Sequence, residues 1–202
     1  MNTAIRTLTA ALALLLVLAW QPPDPPDTYS FQADSRLWVE GTSTIHDWTC
    51  EASTLDGSLS VVTADAPQVS DVTVAVPVES LECKNGTMNR KAKKALGADD
   101  HPQITFELTA ASVSTEVAEG DFAVDATGTL TIAGTTKTTE LTAQGYRLEN
   151  GQMRFKGSYP MQMTDFGVDP PSAMLGTLKT GDEVVVHFDV VAASSSTQAA
   201  NE

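Results

Sequence analysis

The side chains that most often carry enzymatic chemistry are few and scattered in this sequence. The three histidines, His46, His101 and His187, stand on or near three different predicted segments, and no two of them have the spacing of a zinc-binding motif. No Gly-x-Ser-x-Gly elbow marks a serine nucleophile. The sequence therefore gives no positive support for an enzyme, and we predict neither catalytic residues nor a metal site.

The first residues resemble an export signal. Arg6 precedes an apolar run from Leu8 to Leu18, which is too short to span a bilayer, and the run ends in Val17-Leu18-Ala19. We therefore expect a signal peptide over residues 1–19, cleaved after Ala19, and a periplasmic or secreted mature protein.

The two cysteines, Cys50 and Cys83, offer either a structural disulfide or a redox-active pair. A redox pair usually has the close Cys-x-x-Cys spacing, which these residues lack. Disulfides persist outside the cytosol, and an even number of cysteines fits one bridge. We therefore predict a Cys50–Cys83 disulfide in the exported protein.

Charge is unevenly distributed along the chain. With 26 acidic and 12 basic residues the net charge is -14, which excludes an ordinary electrostatic nucleic-acid binder because phosphate contacts need a basic surface. Four basic residues nevertheless lie within five positions: Arg90, Lys91, Lys93 and Lys94. They form either a solvated helix face whose late lysines complement the macrodipole, or a site that attracts a lipid phosphate or gives transient contact with a membrane surface.

The elements that must position these residues are mostly strands. Apolar residues alternate with polar ones in about eight segments, and short turns between them imply antiparallel neighbours. These segments are 36–44, 48–62, 72–78, 104–108, 122–132, 138–148, 153–163 and 184–190. One short amphipathic helix follows Cys83, with Thr87 as its predicted N-cap and Gly97 as its end. We predict an all-β fold, an eight-stranded antiparallel barrel with one helix; a two-sheet sandwich is the alternative.

Composition sets the limits of the folded domain. Four prolines in residues 20–28 indicate an extended linker. The alternating pattern occupies residues 29–192, and small polar residues over 193–202 indicate a disordered tail.

Several short motifs, in order along the domain, resemble the YceI-like family of exported bacterial proteins. They are GTSTIHDW (41–48), MN (88–89), AL (95–96), HPQITF (101–106), GTLTIAG (128–134) and MTDFGV (163–168). The resemblance implies a lipocalin-like barrel with an elongated apolar cavity. It also implies cofactor-free binding of a polyisoprenoid amphiphile, either a prenyl quinone or a prenyl phosphate.

If the barrel holds such a lipid, apolar side chains from several strands line the tunnel, and the helix carrying Arg90, Lys91, Lys93 and Lys94 orients or gates the head group. The candidate lining residues are Trp38, Trp48, Val74, Val76, Phe106, Phe122, Leu130, Phe155, Met161, Met163, Phe166, Val186 and Phe188. The sequence is equally consistent with each of these residues being part of an ordinary packed core. The alternative function is a non-enzymatic envelope interaction module with a filled barrel.

Overall fold

The described part of the chain is dominated by β-strands. The computed structural model describes residues 26–62, 67–115, 117, 121–173 and 177–194. The strands are β1 Asp27–Phe31, β2 Arg36–Ser43, β3 Trp48–Ala52, β4 Asp56–Val62, β5 Gln68–Pro77, β6 Leu81–Cys83, β7 Gln103–Ser114, β8 Phe122–Ile132, β9 Thr135–Arg147, β10 Met153–Gln162, β11 Ser172–Ala173 and β12 Leu178–Ser194. The α-helix is α1 Gly86–Ala95, and 3-10 helices occupy Val78–Ser80 and Met163–Phe166.

Eight strands close into a ring. Their order is β1-β4-β5-β7-β8-β9-β10-β12, and β12 pairs back onto β1, with antiparallel neighbours throughout. Closure satisfies strand edges that would otherwise remain exposed. The predicted eight-stranded antiparallel barrel with one short helix is therefore confirmed.

The wall continues beyond the ring at one end of the barrel. The last residues of β12 pair with β1, and the earlier residues of β12 pair with β2. Strands β1 and β2 therefore lie one after the other along the same edge of β12. Strand β3 then pairs with β2, and β6 pairs with β3. The last of these pairings aligns Cys50 with Cys83, and the predicted disulfide between them is formed. Because β6 leads into α1, this extension of the wall positions the helix.

Helix α1 begins two residues earlier than the sequence suggested. Asn85, not Thr87, is its N-cap, and the Asn85 side chain accepts hydrogen bonds from the amides of Thr87 and Met88. Asparagine is among the best N-cap residues because its short side chain reaches these otherwise unpaired donors. Gly97 ends the helix as predicted, in the left-handed conformation with a φ of 64°.

The barrel strands extend slightly past the limits expected from composition. Strand β1 begins at Asp27, inside the predicted linker, and β12 runs to Ser194, inside the predicted tail. Ala193 and Ser194 are buried because they pair with β1, so they are barrel residues. The predicted signal peptide, the rest of the linker and the rest of the tail lie outside the described residues.

One seam of the barrel is only partly hydrogen-bonded. Strand β10 pairs with β9 from Met153 to Gly157, and the described residues show no β9–β10 pair in the rest of β10. Pro160 lies in this second half of β10. Proline has no amide hydrogen to donate, so strands tolerate it at edges.

Candidate functional site

A cavity of about 360 Å³ runs inside the barrel and beneath α1. At one end its wall includes Val124 and Phe155 from the packed core, and at the other it includes Met88 and Leu96 from the helix segment. The wall is almost entirely apolar: among the described lining residues, Lys91 is the single charged one. A cavity of this size and polarity suits a small apolar ligand.

The strand period builds this wall. On β12, Val184, Val186, Phe188 and Val190 line the cavity, whereas the intervening His187 does not. Successive side chains of a strand point to opposite faces of the sheet, so alternate residues of β12 face the cavity.

Most of the predicted lining residues meet on this wall. Those that line the cavity are Trp48, Val74, Val76, Phe106, Leu130, Phe155, Met161, Met163, Phe166, Val186 and Phe188. The structure thus gathers residues from six strands and the 3-10 helix Met163–Phe166 around one space.

Two of the predicted residues lie elsewhere. Trp38 is opposite His187 in the β2–β12 pairing and stacks on its ring, with centroids 5.1 Å apart, outside the cavity. Leu37 and Val39 line the cavity instead, because alternation places them on the other face of β2. Phe122 is fully buried in the packed core and contacts the edge of Phe155.

Other apolar residues also line the cavity, although they were not among the predicted lining residues. Ile104 and Leu108 share the inward face with Phe106 on β7, as the alternation around Phe106 indicates. The helix segment adds Met88, Ala92, Ala95 and Leu96 to the wall, which are the apolar face of the predicted amphipathic helix.

Glycines allow two aromatic rings to lie flat against the wall. A Cβ added to Gly128 would approach Cζ of Phe106 to 2.4 Å, and one added to Gly41 would approach Cζ2 of Trp48 to 2.3 Å. Both contacts are too short for any side chain. The missing side chains of these two glycines therefore leave room for the rings that line the cavity.

The four basic residues of α1 have different surroundings. Lys91 lines the cavity, and its Nζ donates to the carbonyl oxygen of Ser172 at 3.2 Å. Lys93 forms an ion pair with Glu79 at 2.8 Å. Arg90 donates to Oγ1 of Thr87 at 3.2 Å, and both Arg90 and Lys94 are exposed. One basic residue of the predicted cluster is thus at the cavity, and the others are on the surrounding surface.

Ion pairs and hydrogen bonds outside the cavity hold the strands around it. Arg154 on β10 donates to both carboxylate oxygens of Asp189 on β12, each at 2.6 Å, and this pairing lowers the pKa of Asp189. The carboxylate of Asp182 accepts from the backbone N and Oγ1 of Thr164, and these hydrogen bonds lower the pKa of Asp182. The second contact fixes the 3-10 helix that carries Met163 and Phe166.

The histidines of the described residues have separate environments. The His46 Nδ1 lies 2.7 Å from the carbonyl oxygen of Asp47, the His101 ring packs against Gly134, and His187 stacks on Trp38. Across the described ranges, no cluster of three or more His, Cys, Asp or Glu side chains has a geometry suited to a metal ion. No helix in the same part of the chain has the length and hydropathy needed to cross a membrane.

Comparison with protein families identifies the family of this domain. The model of the YceI-like domain matches residues 29–192, which is nearly the whole barrel. The chain belongs to the YceI-like family. None of the curated proteins compared with it matches it.

Solved structures resemble this YceI-like domain at low sequence identity. BcnA of Burkholderia cenocepacia has a TM-score of 0.66 and 21% identity, over 80% of this chain and 98% of BcnA. A polyisoprenoid-binding domain from Saccharophagus degradans, implicated in plant cell wall breakdown, has a TM-score of 0.63 and 16% identity, over 82% of this chain and 98% of that one. The YceI protein of Campylobacter jejuni has a TM-score of 0.57 and 18% identity, over 72% and 84% of the two chains. These likenesses establish a shared fold.

Proposed function

We propose that this YceI-like domain is a cofactor-free, non-enzymatic lipid-binding protein. It holds a polyisoprenoid amphiphile, a prenyl quinone or a prenyl phosphate, in the barrel cavity as a carrier or store. It acts in the periplasm or after secretion, once residues 1–19 have been removed. The observation that carries the proposal is the continuous apolar cavity beneath α1.

The apolar wall explains why the tail would dominate affinity. Each buried methylene group contributes about 0.8 kcal/mol, so an isoprenyl unit contributes roughly 3 kcal/mol. The losses of ligand motion and of side-chain freedom offset part of this gain, so the terms do not add along a long chain. Family membership and the likeness to the polyisoprenoid-binding domain of Saccharophagus degradans support a polyisoprenoid as the class of tail.

The disulfide supports an exported protein. The Cys50–Cys83 bond joins β3 to β6, and such bonds persist in oxidising compartments. The cavity disfavours the alternative of an interaction module with a filled barrel, because about 360 Å³ of apolar space has no structural use in such a module.

The test is native mass spectrometry of the mature protein, purified without detergent from an exporting host, followed by organic extraction. We expect a stoichiometric added mass that resolves to a prenyl lipid and identifies the head group. A bare polypeptide mass that persists after incubation with prenyl quinones and prenyl phosphates would contradict the proposal and favour the filled-barrel module.

A matched pair of variants separates binding in the cavity from binding on the surface. Leu130 lines the cavity, whereas Ile45 is 65% exposed. We expect Leu130→Trp to lose most of the added mass because the indole ring occupies the cavity, and Ile45→Trp to keep it. Equal lipid content in the two variants would place the ligand outside the barrel.

A further inference from the structure

Lys91 lies where the wall of the cavity meets the protein surface. Pro171 and Thr180 line the cavity, whereas their chain neighbours Ser172 and Lys179 are exposed. Ser172 pairs with Lys179 between β11 and β12, and the half-buried Lys91 donates from Nζ to the Ser172 carbonyl oxygen at 3.2 Å. The long lysine side chain often buries its methylene groups and keeps its charge near water. The ammonium group of Lys91 therefore lies at the rim of the cavity, and its methylene groups belong to the wall.

This ammonium group has no anionic partner in the described part of the chain. No described carboxylate lines the cavity, and none of the ion pairs between described residues includes Lys91. On the same helix, Lys93 is paired with Glu79. A lysine has three hydrogen-bond donors, and the Ser172 carbonyl accepts from one of them. The positive charge and further donors thus remain available to a ligand at the rim.

The cavity can hold the tail of an amphiphile but not a charged head group. Its described wall is almost entirely apolar, and transferring a charged group from water to such a wall without a partner costs free energy. One end of the cavity borders the packed core that includes Val124 and Phe155. The rim at Lys91 is therefore the place where a charged head group can stay near water while its tail occupies the cavity.

We propose that Lys91 determines the class of head group, and that its ammonium group binds the phosphate of a prenyl phosphate at the rim. This inference rests on the proposed function and narrows it to the anionic member of its two ligand classes. A phosphate accepts a charge-assisted hydrogen bond from an ammonium group, whereas an uncharged quinone carbonyl accepts a weaker one without the attraction between two charges. The other predicted head-group residues, Arg90, Lys93 and Lys94, are not among the described lining residues.

The test compares a prenyl phosphate with the prenyl alcohol of the same isoprenoid length, so that the two probes differ only in the head group. Binding is followed through the fluorescence of the protein's tryptophans, of which Trp48 lines the cavity. We expect the wild type to prefer the phosphate. Lys91→Gln removes the charge and keeps a hydrogen-bond donor for the Ser172 carbonyl. We expect it to weaken phosphate binding by about fivefold and to leave alcohol binding unchanged.

A neighbouring lysine provides the matched control. Lys94 is exposed on the same helix and is not among the described lining residues. We expect Lys94→Gln to change the affinity for the prenyl phosphate by less than about twofold, and Lys91→Arg to keep the preference for the phosphate because it keeps the charge. Equal losses in Lys91→Gln and Lys94→Gln would show that the whole helix surface attracts anions, and would overturn the inference.

Inorganic phosphate distinguishes a lipid head group from a free anion. The tail supplies most of the expected affinity, and the protein as a whole has a net charge of -14 that repels small anions. We therefore expect an excess of inorganic phosphate to leave the prenyl phosphate bound to the wild type. Displacement by inorganic phosphate would mean that the rim binds a free anion, and would overturn the inference.

The outcomes separate this inference from the proposed function. If the wild type binds the phosphate and the alcohol equally well, or if Lys91→Gln changes both affinities alike, the inference is overturned and the proposed function stands. If the wild type binds neither probe, nor a prenyl quinone of the same length, the proposed function fails and the inference fails with it.

Discussion

Two phenylalanines illustrate how single residues divide between the cavity and the packed core. Phe106 is half-buried and lines the cavity. Phe122 is fully buried, contacts Phe155 at a centroid distance of 6.0 Å, and has the Arg147 guanidinium over its ring. Both have the same side chain and both alternate inward, so their different surroundings predict different consequences of truncation.

Replacing each phenylalanine with alanine tests this difference. Phe122→Ala should lower the free energy of unfolding by about 3 to 5 kcal/mol, because it leaves a void in packed core. Phe106→Ala should cost less stability and weaken lipid binding by about tenfold or more, since contact with the ligand is lost. Denaturant unfolding and lipid titration of both variants measure the two effects. Equal loss of stability in both would show that Phe106 is ordinary core.

At the scale of elements, β6 and α1 act as one unit over the cavity. The disulfide joins Cys83 of β6 to Cys50 of β3, and Oδ1 of Asn89 accepts a hydrogen bond from the Cys83 amide at 2.7 Å. Lys93 adds an ion pair from the helix to Glu79. The helix is therefore held at its first turn and along its length, with its apolar face on the cavity.

Removal of the disulfide should loosen this unit. The bond closes a loop with a sequence separation of 33 residues, for which the chain-entropy model gives about 4 kcal/mol of stabilisation. We expect the double variant Cys50→Ser, Cys83→Ser to lose roughly that much free energy of unfolding. The wild type measured in reducing agent is the matched control, and its free energy of unfolding should fall by the same amount as that of the double variant. An unchanged midpoint in both would mean that strand pairing alone holds β6 in place.

For the whole molecule, stability depends on keeping a ring of eight strands closed. The Arg154–Asp189 pair joins β10 to β12. It lies next to the point at which the pairing partner of β12 changes from β2 to β1. The guanidinium group lowers the pKa of Asp189. The unfolded chain binds a proton on this carboxylate at higher pH than the folded protein does, so the pair stabilises the folded state above the unfolded pKa of about 3.9. This contribution is lost as the pH falls through the lower pKa of the folded state.

A pH series of unfolding measurements tests this linkage. Asp189→Asn should be less stable than the wild type at neutral pH, and the difference should shrink as the pH falls below about 4. Asp56→Asn, at an exposed carboxylate of β4, is the control and should track the wild type more closely. A difference for Asp189→Asn that stays constant down to acidic pH would argue against the ion pair as its cause.

The register of β2 shows where prediction from the sequence reached its limit. In β12, valines and phenylalanine alternate with His187 and Asp189, so one face is visibly apolar. In β2, Leu37, Trp38 and Val39 are consecutive apolar residues, so periodicity gives no preferred face. Pairing with β12 places Trp38 opposite His187, on the outside. Pairing with the neighbouring strand, and not the local pattern, determined that Leu37 and Val39 line the cavity and that Trp38 does not.

The alternating pattern, the turns and the ordered motifs were sufficient to predict a YceI-like eight-stranded barrel with one amphipathic helix, and strand pairing then excluded the two-sheet sandwich. Strand period and helix period are local properties, so one sequence reveals them. The tertiary structure alone decided that the barrel is hollow, that Phe122 belongs to the packed core and that Phe106 lines the cavity. These features depend on distances between residues far apart in the chain, which follow from packing and not from spacing.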